Sequence, residues 1–334
     1  MAAPRIAGFT TAGRAYEATA ESAAQDMTNL DVLELSGIRG KTELQDKSVI
    51  NLAAASGIYD SKSEIIKLNQ RVSVASSSGV ELNLTEALVM VREGKIVSRR
   101  PVEVHHGNDT LNSNELEVIN SGELIRFIGD VRVKLNPKDS DHDSPTKSPQ
   151  RTQVASGVPQ VFSRNPNEPV QIQSATLDVR SKEHIATFIG KVHLVQGDAT
   201  LKCATLIISY QESADSGADQ FGIAGQQQIR SVDARGGVTI TQKEQTATGD
   251  SGTFDMKANK VLLTGNVALK QGQNVVRGDR LIADLSTGVS RIESNGHSNV
   301  QSEFVSNSQE RKSRPDPEVN NTRQTPLSQP LKLH

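Results

Sequence analysis

Few residues in this 334-residue chain could do chemistry, and their spacing commits them to little. Asp139, Asp141 and Asp143 alternate as the opening of a calcium loop does. Such a loop needs Gly at its sixth place and Glu at its twelfth, where Ser144 and Gln150 stand. The run reads as part of a solvated linker. His105, His106, His184 and His193 include no His-Glu-x-x-His pair and no third ligand at a metal-binding spacing, so they read as exposed strand residues. Ser, His and Asp all occur, but no Gly-x-Ser-x-Gly elbow, phosphate loop or dinucleotide fingerprint singles any of them out. The one cysteine, Cys203, excludes an internal disulfide and a multi-cysteine metal site, and reads as a small buried thiol. Asp178, Asp255 and Asp284 recur where strands give way to turns and read as turn formers. Lys95, Arg99 and Arg100 form a basic cluster with two readings: a solvated strand edge, or contact with an anionic headgroup. No cofactor is expected.

The elements that must position these residues are β-strands. Aromatic residues are only 3% of the chain and Trp is absent, so the interior must be aliphatic. The formal net charge of −2 argues against a nucleic-acid binder. No run of about 18 apolar residues occurs, and the start, Met1 to Phe9, lacks the basic-then-apolar order of a secretory signal. Taken literally, that start predicts a cytoplasmic protein; equally, it fits a chain whose export segment or anchor lies elsewhere.

One strand phrase is written repeatedly. Phe188-Ile-Gly190-Lys-Val192-His-Leu194 returns as Leu263-Thr-Gly265-Asn-Val267-Ala-Leu269, with Leu201 and Leu206 matched downstream by Val276 and Leu281. Phe127-Ile-Gly129-Asp-Val131-Arg-Val133 and Gly236-Gly-Val238-Thr-Ile240 are further copies. Apolar residues two apart face one side of a strand, and their repetition predicts stacked, near-equivalent rungs. Such rows either pack against each other as a closed sandwich core or line a slot in a slightly open one.

Composition divides the chain into 1–135 and 170–300 as structured blocks. Residues 136–169 are predicted to be a disordered linker holding Pro137, Pro145, Pro149, Pro159, Pro166 and Pro169, and residues 301–334 a disordered tail. Glu212 to Gln228 reads as a long loop between rungs. Turn chemistry at Arg92–Lys95, Asn120–Glu123, Gln196–Asp198 and Gln271–Gln273 predicts hairpins. Ala18 to Met27 reads as strand despite its alanines. Leu124–Leu135 is expected to pair with Val170–Val179, within one chain or between two.

The second block resembles the LptA (OstA-like) family of lipopolysaccharide (LPS) transport proteins. The likeness is carried by Ala186-Thr-Phe-Ile-Gly-Lys-Val192, Gln242-Lys-Glu-Gln-Thr-Ala-Thr-Gly-Asp250, Phe254-Asp-Met-Lys-Ala-Asn259 and Gly278-Asp-Arg-Leu281. The first block resembles the periplasmic part of the LptC family through Gly13-Arg-Ala-Tyr-Glu-Ala-Thr-Ala20, Ala55-Ser-Gly-Ile-Tyr-Asp60 and Leu116-Glu-Val-Ile-Asn-Ser-Gly122. The resemblance implies an all-β chain of two open β-jellyrolls built from antiparallel rungs. It implies a non-enzymatic periplasmic bridge that passes LPS from inner to outer membrane. The implied partners are LPS, the inner-membrane ABC exporter, the outer-membrane assembly protein and, head to tail, another copy. In that setting Phe127, Val131, Val133, Phe188, Val192, Leu194, Leu201, Leu263, Val267, Leu269 and Val276 would line a groove for acyl chains, and Lys95, Arg99 and Arg100 would meet the headgroup. A closed-core filament and a β-helix polysaccharide lyase or hydrolase are the competing readings.

Overall fold

The fold follows from one local decision repeated along the chain: long strands that bend at their middle. The computed structural model describes residues 4–9, 13, 15–25, 27–43, 48–136, 168–211, 228–287, 289–294 and 300–303. The interior of the expected 136–169 linker, almost all of the 212–228 loop, the tail beyond residue 303 and the Asp139–Asp143 run lie outside the described residues.

The strands are β1 (Arg5–Phe9), β2 (Ala15–Thr19), β3 (Ser22–Gln25), β4 (Val32–Glu43), β5 (Val49–Asp60), β6 (Ile65–Ser76) and β7 (Val80–Met90). Four short ones follow, β8 (Lys95–Ser98), β9 (Val102–His106), β10 (Asp109–Ser113) and β11 (Glu115–Ile119), and then β12 (Leu124–Leu135). The rest are β13 (Val170–Arg180), β14 (Ile185–Gln196), β15 (Ala199–Gln211), β16 (Gln228–Gln242), β17 (Gln245–Asp255), β18 (Lys260–Gln271), β19 (Asn274–Asp284), β20 (Val289–Glu293) and β21 (Gln301–Glu303). No α-helix occurs among the described residues; of the Ala18–Met27 stretch read as strand, Ala18–Thr19 and Ser22–Gln25 are strand, while Ala20, Glu21 and Met27 are not.

Every pairing is antiparallel, and each long strand from β12 to β19 pairs with the next, forming a ladder. The expected pairing of Leu124–Leu135 with the strand at Val170 is made within the chain, from Leu124 opposite Arg180 to Leu135 opposite Val170. All 21 strands therefore belong to one sheet.

The repeated sequence phrase is the bend. Gly129 and Asp130 have φ of 78° and 47°, Gly190 and Lys191 86° and 49°, Gly236 and Gly237 81° and 75°, and Gly265 and Asn266 77° and 48°. At each pair the register shifts, so two residues on the bending strand oppose one on a neighbour. Gln70 and Arg71 make the same corner in β6 without a glycine, at φ of 59° and 49°. Glycine adopts this left-handed conformation without the Cβ penalty. It is needed twice over at Gly190, where a Cβ would stand 2.8 Å from that of Ala175.

The intervening strands have their own device. Ser113 Oγ donates to the Glu115 carbonyl at 3.0 Å, Ser174 Oγ to that of Thr176 at 2.9 Å, and Cys203 Sγ to that of Thr205 at 3.3 Å. Cys203 thus occupies a serine's place, buried as its surroundings predict.

Bending folds the sheet over itself, so each long strand contributes one half to each of two walls. Along the first wall the inward row runs Leu52, Val74, Leu82, Val104, Leu111, Val133, Ile172, Leu194, Leu201, Ile240, each opposite the next. On the second, Tyr59, Ile66, Val89, Ile96, Val118, Ile125, Val179, Ala186, Ile208 and Val232 do the same. Both rows cross from β12 to β13 without a polar interruption. The walls share one hydrophobic core. The result is two β-jellyrolls, open along one side and continuous with one another.

Two predictions test the corner. Gly237 has nothing within 4 Å of its missing Cβ. Gly237→Ala should therefore cost only the left-handed strain, about 1 kcal/mol. Gly190→Ala should cost roughly 1 kcal/mol more, because Ala175 must be displaced. Urea unfolding of the two variants would show it, and equal losses would discount the close approach.

The second concerns Cys203. Burial pushes its thiol up from 9.0 to about 11. The unfolded chain therefore releases the proton first as pH rises, and stability present below pH 9 is lost between about 9 and 11. The difference in unfolding free energy between the native chain and Cys203→Ser should narrow by about 2 kcal/mol across that interval. A constant difference would show that the thiol is not held protonated by the fold.

Candidate functional site

The inward rows do not fill the first half of the ladder as completely as the second. Small residues are the reason: Ala18, Gly40 and Ala87 occupy inward positions where the second half places residues such as Phe188, Leu206 and Phe254. Where the walls cannot meet, a cavity of about 480 Å³ remains. Its sides are Leu52, Val74 and Leu82 from one wall and Tyr59, Ile66, Val89, Ile96 and Val118 from the other, with Ile125 of β12 at its inner end. The lining is overwhelmingly aliphatic. Charge is confined to Glu17, Lys41, Glu64 and Lys95.

Those four differ in their engagement. Glu17 is held by Arg5 at 2.9 Å and Glu64 by Arg92 at 3.0 Å. Lys41 and Lys95 have no ion-pair partner among the described residues. The basic cluster seen in the sequence is thus divided. Lys95 reaches the cavity, Arg99 is taken by Glu115 and by Glu117 at 3.1 Å, and Arg100 lies 3.6 Å from Glu86. Lys41, which no sequence pattern marked, also lines the cavity.

The eleven apolar residues expected to line a groove all face inward, but none lines this cavity. Phe127, Val131, Val133, Phe188, Val192, Leu194, Leu201, Leu263 and Val267 are buried in wall-to-wall core, at 5% exposure or less. Leu269 and Val276, near the far end of the ladder, are half-buried. Sequence reasoning missed the cavity because it tracked large apolar residues. The available signal was the opposite one, small residues in inward register.

Other expectations are corrected. Asp255 does form its turn, accepting the Lys257 and Ala258 backbone N–H groups at 2.9 Å, and Asp284 accepts those of Ser286 and Thr287. Asp178 does not. It lies within β13, buried, with Oδ1 and Oδ2 each 2.7 Å from Nε and Nη2 of Arg126 on β12. That hydrogen bonding raises the Arg126 guanidinium above its ordinary value. His184 is in the turn before β14 rather than on a strand, its ring edge-on to Tyr210 at 5.7 Å. His105 Nε2 lies 3.1 Å from Glu103, and all four histidines are half-buried rather than exposed. Among the described residues no three His, Cys, Asp or Glu side chains gather as a metal site would require, and no helix is long and apolar enough to cross a membrane.

Comparison with known proteins matches this architecture half by half. Residues 4–136 match the family described as "Lipopolysaccharide-assembly, LptC-related", and residues 171–289 the family described as "LptA/(LptD N-terminal domain) LPS transport protein". An uncharacterized protein of Rhizobium meliloti (strain 1021) is 29% identical over 131 residues, which cover 39% of this chain and 68% of that protein. The crystal structure of LptH, the LptA homologous periplasmic component of the LPS transport device of Pseudomonas aeruginosa, aligns over 42% of this chain and 96% of its own. The identity there is 16% and the TM-score 0.34. In one polypeptide, then, a segment that matches the LptC-related family precedes one that matches the LptA/LptD N-terminal family.

Proposed function

We propose that the chain is a non-enzymatic periplasmic bridge that shelters the acyl chains of LPS and passes them from its LptC-related half to its LptA-like half, outward from the inner membrane. The observation that carries this reading is the aliphatic cavity of about 480 Å³, lined by members of inward rows that continue across the β12–β13 joint without a polar interruption. Burying a methylene is worth about 0.8 kcal/mol, so a dozen per chain amounts to roughly 10 kcal/mol. Only a site that is apolar within and open to one side can collect that energy while the sugar headgroup stays hydrated. Lys41 and Lys95, both at the cavity, are the cations that would meet a phosphorylated headgroup in this reading.

The nine core residues from Phe127 to Val267 then take a second part. They are the path onward, closed while empty, and lipid must part the walls to enter. Division of the chain into a 1–135 domain and a 170–300 domain belongs to the same reading. Strand edges at the ends of the ladder supply the contacts. β1 at one end and β20 and β21 at the other each have one edge without a partner among the described residues, and Phe9 and Val289 there are exposed. Such edges accept an added strand. The exporter, the outer-membrane assembly protein or another copy would dock on them.

Photocrosslinking tests the reading. A probe at Val74, in the cavity, should label LPS in the periplasm of an LPS-making cell, whereas one at exposed Lys257 should not. Adding Ala18→Phe, which fills the cavity, should cut labelling from Val74 at least fivefold while the protein remains folded. Labelling from neither position in a folded chain would leave a sealed core, and the closed-core filament would replace the bridge.

A further inference from the structure

The rungs of this ladder are so alike that their order needs an explanation. From β12 to β19 strands of two kinds alternate: β12, β14, β16 and β18 carry the left-handed corner, and β13, β15, β17 and β19 lie opposite it. The corner sets register, because a slipped partner would meet it in the wrong place. It cannot choose the partner. The corner of β12 presents the same bend to β13, β15, β17 or β19, and it must find β13 across the chain from Pro137 to Asn167.

One outward position differs. In the row that contains Arg126, the four strands of the second kind place Asp178, Ile207, Thr253 and Ile282. Only β13 offers a carboxylate. Asp233, in the same row, belongs to β16, a corner-bearing strand like β12 itself, and accepts from Thr253 Oγ1 at 2.8 Å. On the other edge of β12, Glu117 faces Arg126 but is bound by Arg99. The Arg126–Asp178 contact is bidentate, with the Asp178 side chain only 5% exposed. Pairing β12 with any other strand of the second kind would leave Arg126 and Asp178 without each other. A second ion pair, Lys182 with Glu123, closes the same end of the joint.

We propose that Arg126 and Asp178 are the specificity determinant of the joint between the two halves, the charge pair by which β12 selects β13 among near-identical rungs. Apolar residues of similar size in both places would hold the joint as firmly, since a buried ion pair adds little stability over a well-packed apolar one. They would not select it.

The test is refolding of the full chain from urea in a Cys203→Ser background with Lys134→Cys and Gln171→Cys. These two exposed residues face each other only when β12 and β13 are paired in register. A two-residue slip or another partner separates them beyond disulfide reach. The native ion pair should give nearly complete cross-linking within one chain. Arg126→Leu, which strands Asp178, should lower the yield at least tenfold. Arg126→Leu with Asp178→Leu should keep the native unfolding midpoint yet yield at least threefold less of the correct cross-link, the remainder in slipped or chain-to-chain products. Native yield from either variant would overturn the proposal. A collapse of the double variant's midpoint would also overturn it, by showing that the pair acts on stability and not on choice.

Discussion

Everything in this molecule depends on a backbone constraint: two successive residues held at positive φ in the middle of a long strand. Without that corner, strands of 11 to 15 residues would run on as a flat, two-sided ladder with one face of Val, Ile and Leu bare to water. With it, each strand turns its apolar face back on itself, and hydrogen bonding continues from rung to rung across the fold. A sheet closed this way can be extended indefinitely, because each rung buries itself against the next and against its own other half. Length along the ladder is then free to serve function.

The same constraint explains why the sequence was legible where it was. Phe-Ile-Gly-Asp-Val at 127 to 131 and its copies announce the corner: an inward residue, a left-handed pair, an inward residue again. Strand identity followed from that alternation, the hairpins from their turn residues, and the β12–β13 pairing from the strand edges that a jellyroll leaves unpaired. The cavity did not, because it is made by what is missing. Ala18, Gly40 and Ala87 look like weak strand residues until the register shows them facing inward across from one another's walls. Asp178 was misread for a related reason. An aspartate near a strand end is usually a turn former, as Asp255 and Asp284 are, and only the pairing of β12 with β13 reveals the arginine that burial requires.

Size explains the contrast between the halves. The walls are built alike, yet in the second half large residues meet across the fold and in the first half they cannot. In the proposed bridge, a path made of two such halves would offer a ready site followed by one that must be opened. Parting the second half means separating packed aliphatic side chains, but an entering acyl chain replaces those contacts with equivalent ones, so the net cost is far below the gross one. The sealed core and the transport reading are therefore compatible.

Near-equivalence of the rungs has one further consequence. In the proposed bridge it would ease movement of a lipid from one rung of the packed half to the next, but it also makes the rungs confusable during folding. Repeated strands with unsatisfied edges mispair readily unless something distinguishes them. Among the described residues, the bidentate ion pair with a buried carboxylate stands at the joint where two segments distant in sequence must meet. Elsewhere along β13 to β19, short turns connect most neighbours and selection is made by proximity. Arg126 and Asp178 stand where proximity is weakest, which is where a specific pair has the most to decide.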